Sequence, residues 1–181
     1  MNCQTTTSTY PKPIYENDVY QWNGVYKKGN NEECLIKIDN KEYNSLFWEC
    51  DINNKEYFDK VDDKWILINK DNKLNEIDEI LMKCGLNNKE RNDFIVYWIK
   101  VINRYDNMAI RIEDSRYDNA IPLKVDGFEQ IHRVFVIMKN VTELEKEIMI
   151  KNNQIISKDS FKSMKRPEGK YIIEWGGLPL N

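Results

Sequence analysis

Alanine is almost missing from this chain. Its 181 residues include only Ala109 and Ala120, and His132 is the sole histidine. One histidine makes a poor ligand set for a transition metal, and any Ser/His/Asp or Cys/His site would have to use it. The 7 glycines and 5 prolines are too few for a collagen-like or low-complexity chain. The 4 cysteines, at 3, 34, 50 and 84, form no CxxC pair. They are read as free thiols of a reducing compartment, and no metal site is expected. The longest apolar run, Phe94 to Ile99, is far too short to span a membrane. Residues 1–10 lack the basic and apolar segments of a signal peptide. The expectation is a soluble intracellular protein with no membrane partner, in the cytoplasm or, for a viral source, the virion. Gly176-Gly177 is followed by Leu-Pro-Leu-Asn rather than a helix, so it is no phosphate cradle. No cofactor is expected.

What is present suits a folded protein. Hydrophobic residues make up 41% and aromatics 12%, enough to bury a core. The net charge of -3 lacks the basic excess of a nucleic-acid binder, so nucleic acid is not an expected partner. Asn, Lys and Ile dominate, all encoded by A/T-rich codons. That bias points to a low-GC genome: an AT-rich microbe, a protist or a large DNA virus.

Periodicity organises the chain. Residues 1–13 are polar and Thr-rich and end in Pro11-Lys-Pro13, which predicts a flexible leader. A single domain is expected from 14 to 181. Strands are predicted at 19–26 with a Gly turn, 34–38 after the Gly29-Asn-Asn31 turn, 43–49 and 64–68. Leu74, Ile77, Leu81 and Cys84 then fall on one helical face, and Gly85 can cap that helix. Asn87 and Glu90 have capping-box spacing. Over 88–105, Phe94, Ile95, Trp98, Val101, Ile102 and Tyr105 share one face, with Val96 alone among the polar positions. Strands return at 108–113, 133–138 (central, by its unbroken apolar run), 147–150 and 170–175. Pro122 limits 121–125 to an edge or a loop. Helices inserted once among strands predict an α+β fold, a mainly antiparallel β-sheet or sandwich with a two-helix insertion mid-chain.

Four stretches carry a family resemblance: Lys41 to Glu49 (KEYNSLFWE), Gly85 to Trp98 (GLNNKERNDFIVYW), Arg133-Val-Phe135 and Ile173 to Gly177 (IEWGG). Together, in this order, they resemble an uncharacterised microbial protein family marked by "KxYxYLFWE", "GLxxKExxDFIVYWLP", "IRVF" and "VVEWGG". The resemblance spans about 41–177. It implies no reaction, because the family has none assigned. Many of its members are secreted or lipid-anchored behind a "KPxIYLYPE" segment, echoed here only by Lys12-Pro-Ile-Tyr15. Cys50 replaces the glycine after the first motif, and Lys100 the proline after the second.

Chemistry-bearing residues are sparse. His132 precedes the apolar run at 133–138 and is the one possible histidine of a catalytic site. Glu174 and the Glu113, Asp114, Asp118 group are the only acid/base material. Two such carboxylates at suitable separation would serve glycoside hydrolysis. The alternative for Glu174 is pairing with Arg133 on a neighbouring strand, since neither charge is buried alone. The acidic stretch from Glu49 to Asp63 lacks the glycine and ligand spacing of a calcium loop. Trp48 and Trp175 are either core or the lining of a groove for a sugar or an aromatic peptide side chain. The reading best supported is a non-enzymatic protein-binding or structural module. A carboxylate-dependent hydrolase and a carbohydrate- or peptide-binding β-domain are the alternatives, the first marked by convergent carboxylates in a pocket, the second by an exposed Trp or Tyr row.

Overall fold

The computed structural model describes residues 3–28, 34–113 and 115–180. The chain divides into two compact units, 1–53 and 54–181, where a single domain from residue 14 was expected.

The first unit is built of short strands. Residues 1–13 had been read as a flexible leader, but Cys3–Tyr10 form a strand, β1, antiparallel to β7 (Phe47–Ile52). The physical reason lies in the threonine tract. β-Branched side chains favour extended backbone even where no apolar alternation advertises it. β2 (Ile14–Glu16) and β3 (Val19–Gln21) form a hairpin whose turn residues, Asn17 and Asp18, have φ of 50° and 61°. A two-residue turn with both φ values positive follows the right-handed twist of the strands, and Asn and Asp tolerate it. β4 (Val25–Lys28), β5 (Cys34–Ile38) and β6 (Lys41–Tyr43) make an antiparallel three-stranded sheet. The expected turn at 29–31 lies outside the described residues. Pro11 is the only buried residue among those of this unit whose burial is described.

The second unit has a conventional core. Its sheet runs β11-β10-β9-β8, from Tyr171–Pro179, Gln130–Asn140, Met108–Glu113 and Ile66–Ile68. β10 is central, antiparallel to β9 and parallel to β11. The two expected helices, α1 (Lys73–Lys83) and α2 (Asn88–Arg104), cover one face. Ile77, Ile80 and Leu81 of α1 and Phe94 and Ile102 of α2 pack there with Ile66, Ile110, Val134, Val136 and Met138. Gly85, at φ 83°, ends α1, and the Leu86 N–H bonds back to the Leu81 carbonyl. The Asn87–Glu90 capping box opens α2, and Val96 points outward, 63% exposed. The α+β class with a mainly antiparallel sheet and a mid-chain helical pair is therefore the observed one.

Two helices depart from expectation. Residues 147–150, read as a weak strand, lie within α4 (Glu143–Lys151). The deciding signal is the Thr142–Glu145 capping box, in which the Thr142 side chain accepts the Glu145 N–H and Glu145 reaches back to the Thr142 N–H. Ser115–Ala120 form a short helix, α3, where none was foreseen.

Candidate functional site

A strand alternates its side chains between faces, so the face of the second unit's sheet opposite α1 and α2 collects the odd-numbered residues of β9 and β10. These are Ala109, Arg111 and Glu113, then Arg133, Phe135, Ile137 and Lys139. The parallel register sets Glu174 of β11 beside Arg133. This face gathers Arg133, Glu174 and Glu113, three of the charged residues singled out in the sequence.

Arg133 and Glu174 form a bidentate pair, Nε to Oε2 at 2.5 Å and Nη2 to Oε1 at 3.2 Å. The Tyr117 hydroxyl donates to Oε1 at 2.9 Å. Arg133 also donates to Asp118 and to the Ile121 carbonyl, and its guanidinium lies 4.1 Å from the centre of the Tyr117 ring. That ring stacks on Phe135 at 3.8 Å. Burial, followed by the Glu174 charge, pushes the Tyr117 hydroxyl well above its ordinary range. Burial lowers the affinity of Arg133 for its proton, but the bonds and charge of Glu174 outweigh it, so the guanidinium stays charged. Both Glu174 oxygens are thus occupied by donors. Asp114, its proposed catalytic companion, lies outside the described residues.

A second network adjoins it. Arg111 binds Glu113 and donates to the Phe58 carbonyl, and Arg116 bridges Glu113 and Asp63. Burial raises the Asp63 carboxyl. The Arg116 hydrogen bond, the Lys60 backbone N–H and the two arginine charges more than offset this and hold it below the usual carboxylate range. Arg111 also sits over Trp65 at 5.3 Å. Two guanidiniums and two carboxylates balance in charge, which is what a buried ionic cluster requires.

His132 is buried at 8% exposure, and its Nε2 lies 2.7 Å from the Cys84 carbonyl. A carbonyl only accepts, so Nε2 carries the proton. The ring ties the end of α1 to β10. Cys84 is no nucleophile either, because burial pushes its thiol up to about 12. That shift sets a pH dependence. The unfolded thiol ionises near 9.0, while the folded one keeps its proton to about 12, so stability is whole below pH 9.0 and declines through that window. Melting wild type and Cys84→Ala side by side should show the decline as a wild-type excess. Parallel curves would mean the thiol is solvated.

Trp175 is half-buried, packing on Phe94 with ring centres 5.7 Å apart, and Trp48 is half-buried on β7 in the first unit. Neither tryptophan stands exposed in a row. Three tyrosines of the first unit are exposed, Tyr10, Tyr15 and Tyr20 at 64%, 55% and 40%, the last two paired across the β2–β3 hairpin. With them stand Ile14, Val19, Val25 and Phe47, all exposed. Sequence reasoning did not single out these residues, because it sought an exposed aromatic surface at Trp48 and Trp175. Their clue was the Asn17-Asp18 turn, which isolates a hairpin too short to bury either face.

Among the described residues of the second unit, a polar cleft of about 380 Å³ lies between the end of β8 and the starts of β9, α1 and α4. Two of its three carboxylates are already engaged: Glu76 accepts the Asn69 N–H and meets Lys158, and Glu143 accepts from Asn107 and meets Lys146. No cluster able to hold a metal ion occurs among the described residues. Among them, too, no helix is long and apolar enough to cross a membrane. No protein-family model, curated protein or solved structure matches the chain.

Substituting glutamine for Glu174 is expected to destabilise the fold by roughly 1.5–3 kcal/mol, the range for hydrogen bonds to a charged group. Denaturant titration of the variant measures this. An unchanged or raised midpoint would mean that the Arg133 pair is not structural, and would return Glu174 to consideration as an acid or base.

Proposed function

We propose that this protein is a non-enzymatic binding module whose partner is another protein, and that the N-terminal β unit makes the contact. One observation carries the reading. The first unit leaves Tyr10, Ile14, Tyr15, Val19, Tyr20, Val25 and Phe47 open to solvent and, among the residues with described burial, buries only Pro11. Large apolar side chains left exposed in such number, here over β1–β4 and β7 of one small unit, mark that unit as an interaction site. Tyrosine in particular supplies large contact area with a polar tip at small entropic cost.

The same tyrosines support a second reading, a carbohydrate-binding surface, since an exposed aromatic ring can stack on a sugar face. The hydrolase reading has less support, because Glu113, Asp118 and Glu174, the described carboxylates among those named for it, are held by arginine, and Glu174 by tyrosine as well. The deciding experiment is selection of peptides from a random library on the full chain, followed by mapping of amide shifts by NMR. The expected shifts fall within 10–25 and 43–48. Shifts centred on the Arg133–Glu174 network, or turnover of a glycoside or ester panel that Glu174→Gln abolishes, would overturn the proposal. Oligosaccharides that shift the same tyrosines, where no peptide does, would install the second reading.

A further inference from the structure

The charge of the chain is unevenly divided. Residues 1–53 hold five lysines and no arginine against eight carboxylates, whereas residues 54–181 hold 22 cations and 22 carboxylates. The whole net charge of -3 therefore belongs to the first unit. Within that unit the stretch from 13 to 26 carries Glu16 and Asp18 and no cation.

That stretch is the β2–β3 hairpin and its flanks. All six of its strand residues are exposed. The register pairs Tyr15 with Tyr20 on one face and leaves Ile14, Glu16, Val19 and Gln21 on the other. The two tyrosine rings lie 4.5 Å apart at 33°, and the Tyr15 hydroxyl donates to Asp18 at 2.8 Å. One face thus offers two aromatic π-surfaces, with a carboxylate fixed at their edge. The π-face of a tyrosine attracts a cation, and the neighbouring carboxylate adds to that attraction. The apolar residues on the other face supply area to whatever covers the hairpin.

Resting on the binding reading above, we infer that the β2–β3 hairpin docks a basic segment of its partner protein, with a lysine or arginine seated over Tyr15 and Tyr20 beside Asp18. Nucleic acid is disfavoured at such a surface by phosphate repulsion.

The test uses the full chain and fluorescent peptides matched in length and apolar content but graded from acidic to basic. Affinity, read by anisotropy, should rise steadily with peptide charge and weaken with added salt. Glu16→Gln/Asp18→Asn removes both charges while keeping residues that accept the turn conformation and an oxygen for the Tyr15 hydroxyl. It should weaken the most basic peptide roughly tenfold and leave neutral ones unchanged. Tyr15→Ala/Tyr20→Ala should weaken the basic peptide as well, with amide spectra reporting whether the hairpin persists. Binding at the hairpin that ignores peptide charge overturns the inference and leaves the binding reading standing. Failure of every peptide, whatever its charge, to shift the first unit overturns both.

Discussion

Glu113→Ala is expected to lower the free energy of unfolding by roughly 3–5 kcal/mol, the cost of stripping one partner from a buried ion cluster. The Glu113 side chain is 2% exposed and faces both Arg111 and Arg116. Its loss leaves Asp63 as the one carboxylate facing two guanidiniums. The large cost comes from the stranded charge rather than from the worth of the pair. Replacing Arg111, Glu113 and Arg116 together by apolar residues of similar volume should therefore cost much less than Glu113→Ala alone. Urea titrations of the two variants supply the comparison. A single-variant loss below about 1 kcal/mol would place the cluster among solvated surface pairs. The cluster also makes the fold acid-sensitive. The folded Asp63 carboxyl titrates below its unfolded value of 3.8, so its contribution is present above that pH and is lost as pH falls through the lower folded value.

Local patterns made much of the second unit legible. The i, i+3, i+4 spacing in α1 and α2, the Asn87–Glu90 box, Gly85 and the unbroken apolar run of β10 each report a short-range preference that tertiary packing then reinforced. The Arg133–Glu174 pair was legible as well, since two charges embedded in apolar strands need each other. The Arg111–Glu113–Arg116–Asp63 cluster was only half visible. The i, i+2 spacing puts Arg111 and Glu113 on one face, but nothing local ties them to Asp63, which the chain supplies from far upstream. The division at residue 53 carried no signal in the strand pattern, because strands and polar turns run through it, and its one compositional mark is the acidic, arginine-free balance of residues 1–53. Of the four motif stretches, three supply packing residues of the second unit. Leu86, Phe94, Val134 and Trp175 pack in or against its core, and the box residues cap α2. Those motifs accordingly speak of architecture. The candidate binding surface lies ahead of them, on a hairpin whose only sequence mark was an Asn-Asp turn between tyrosines.

Trp98→Ala should cost roughly 3–5 kcal/mol, as for a large aromatic truncated in a packed site. Trp98 packs against the core cluster, 6.3 Å from Phe94 between ring centres, and closes over β11 at Gly177. A Cβ added to Gly177 would lie 3.2 Å from Cε2 of Trp98, 3.0 Å from the Val136 carbonyl and 2.9 Å from Cε of Met138. The glycine is therefore what lets α2 approach β11, and Gly177→Ala is itself expected to cost about 1–3 kcal/mol by overpacking. Trp98 carries one liability, a buried Nε1–H without a hydrogen-bond partner. An unsatisfied buried donor costs about 1–3 kcal/mol, so Trp98→Phe sheds that penalty while giving up part of the ring's burial. The phenylalanine variant should thus melt much closer to wild type than the alanine variant does. If alanine and phenylalanine are equally destabilising, the indole N–H has a partner after all. If alanine melts within a degree or two of wild type, the α2 face that bears Trp98 does not pack on β11.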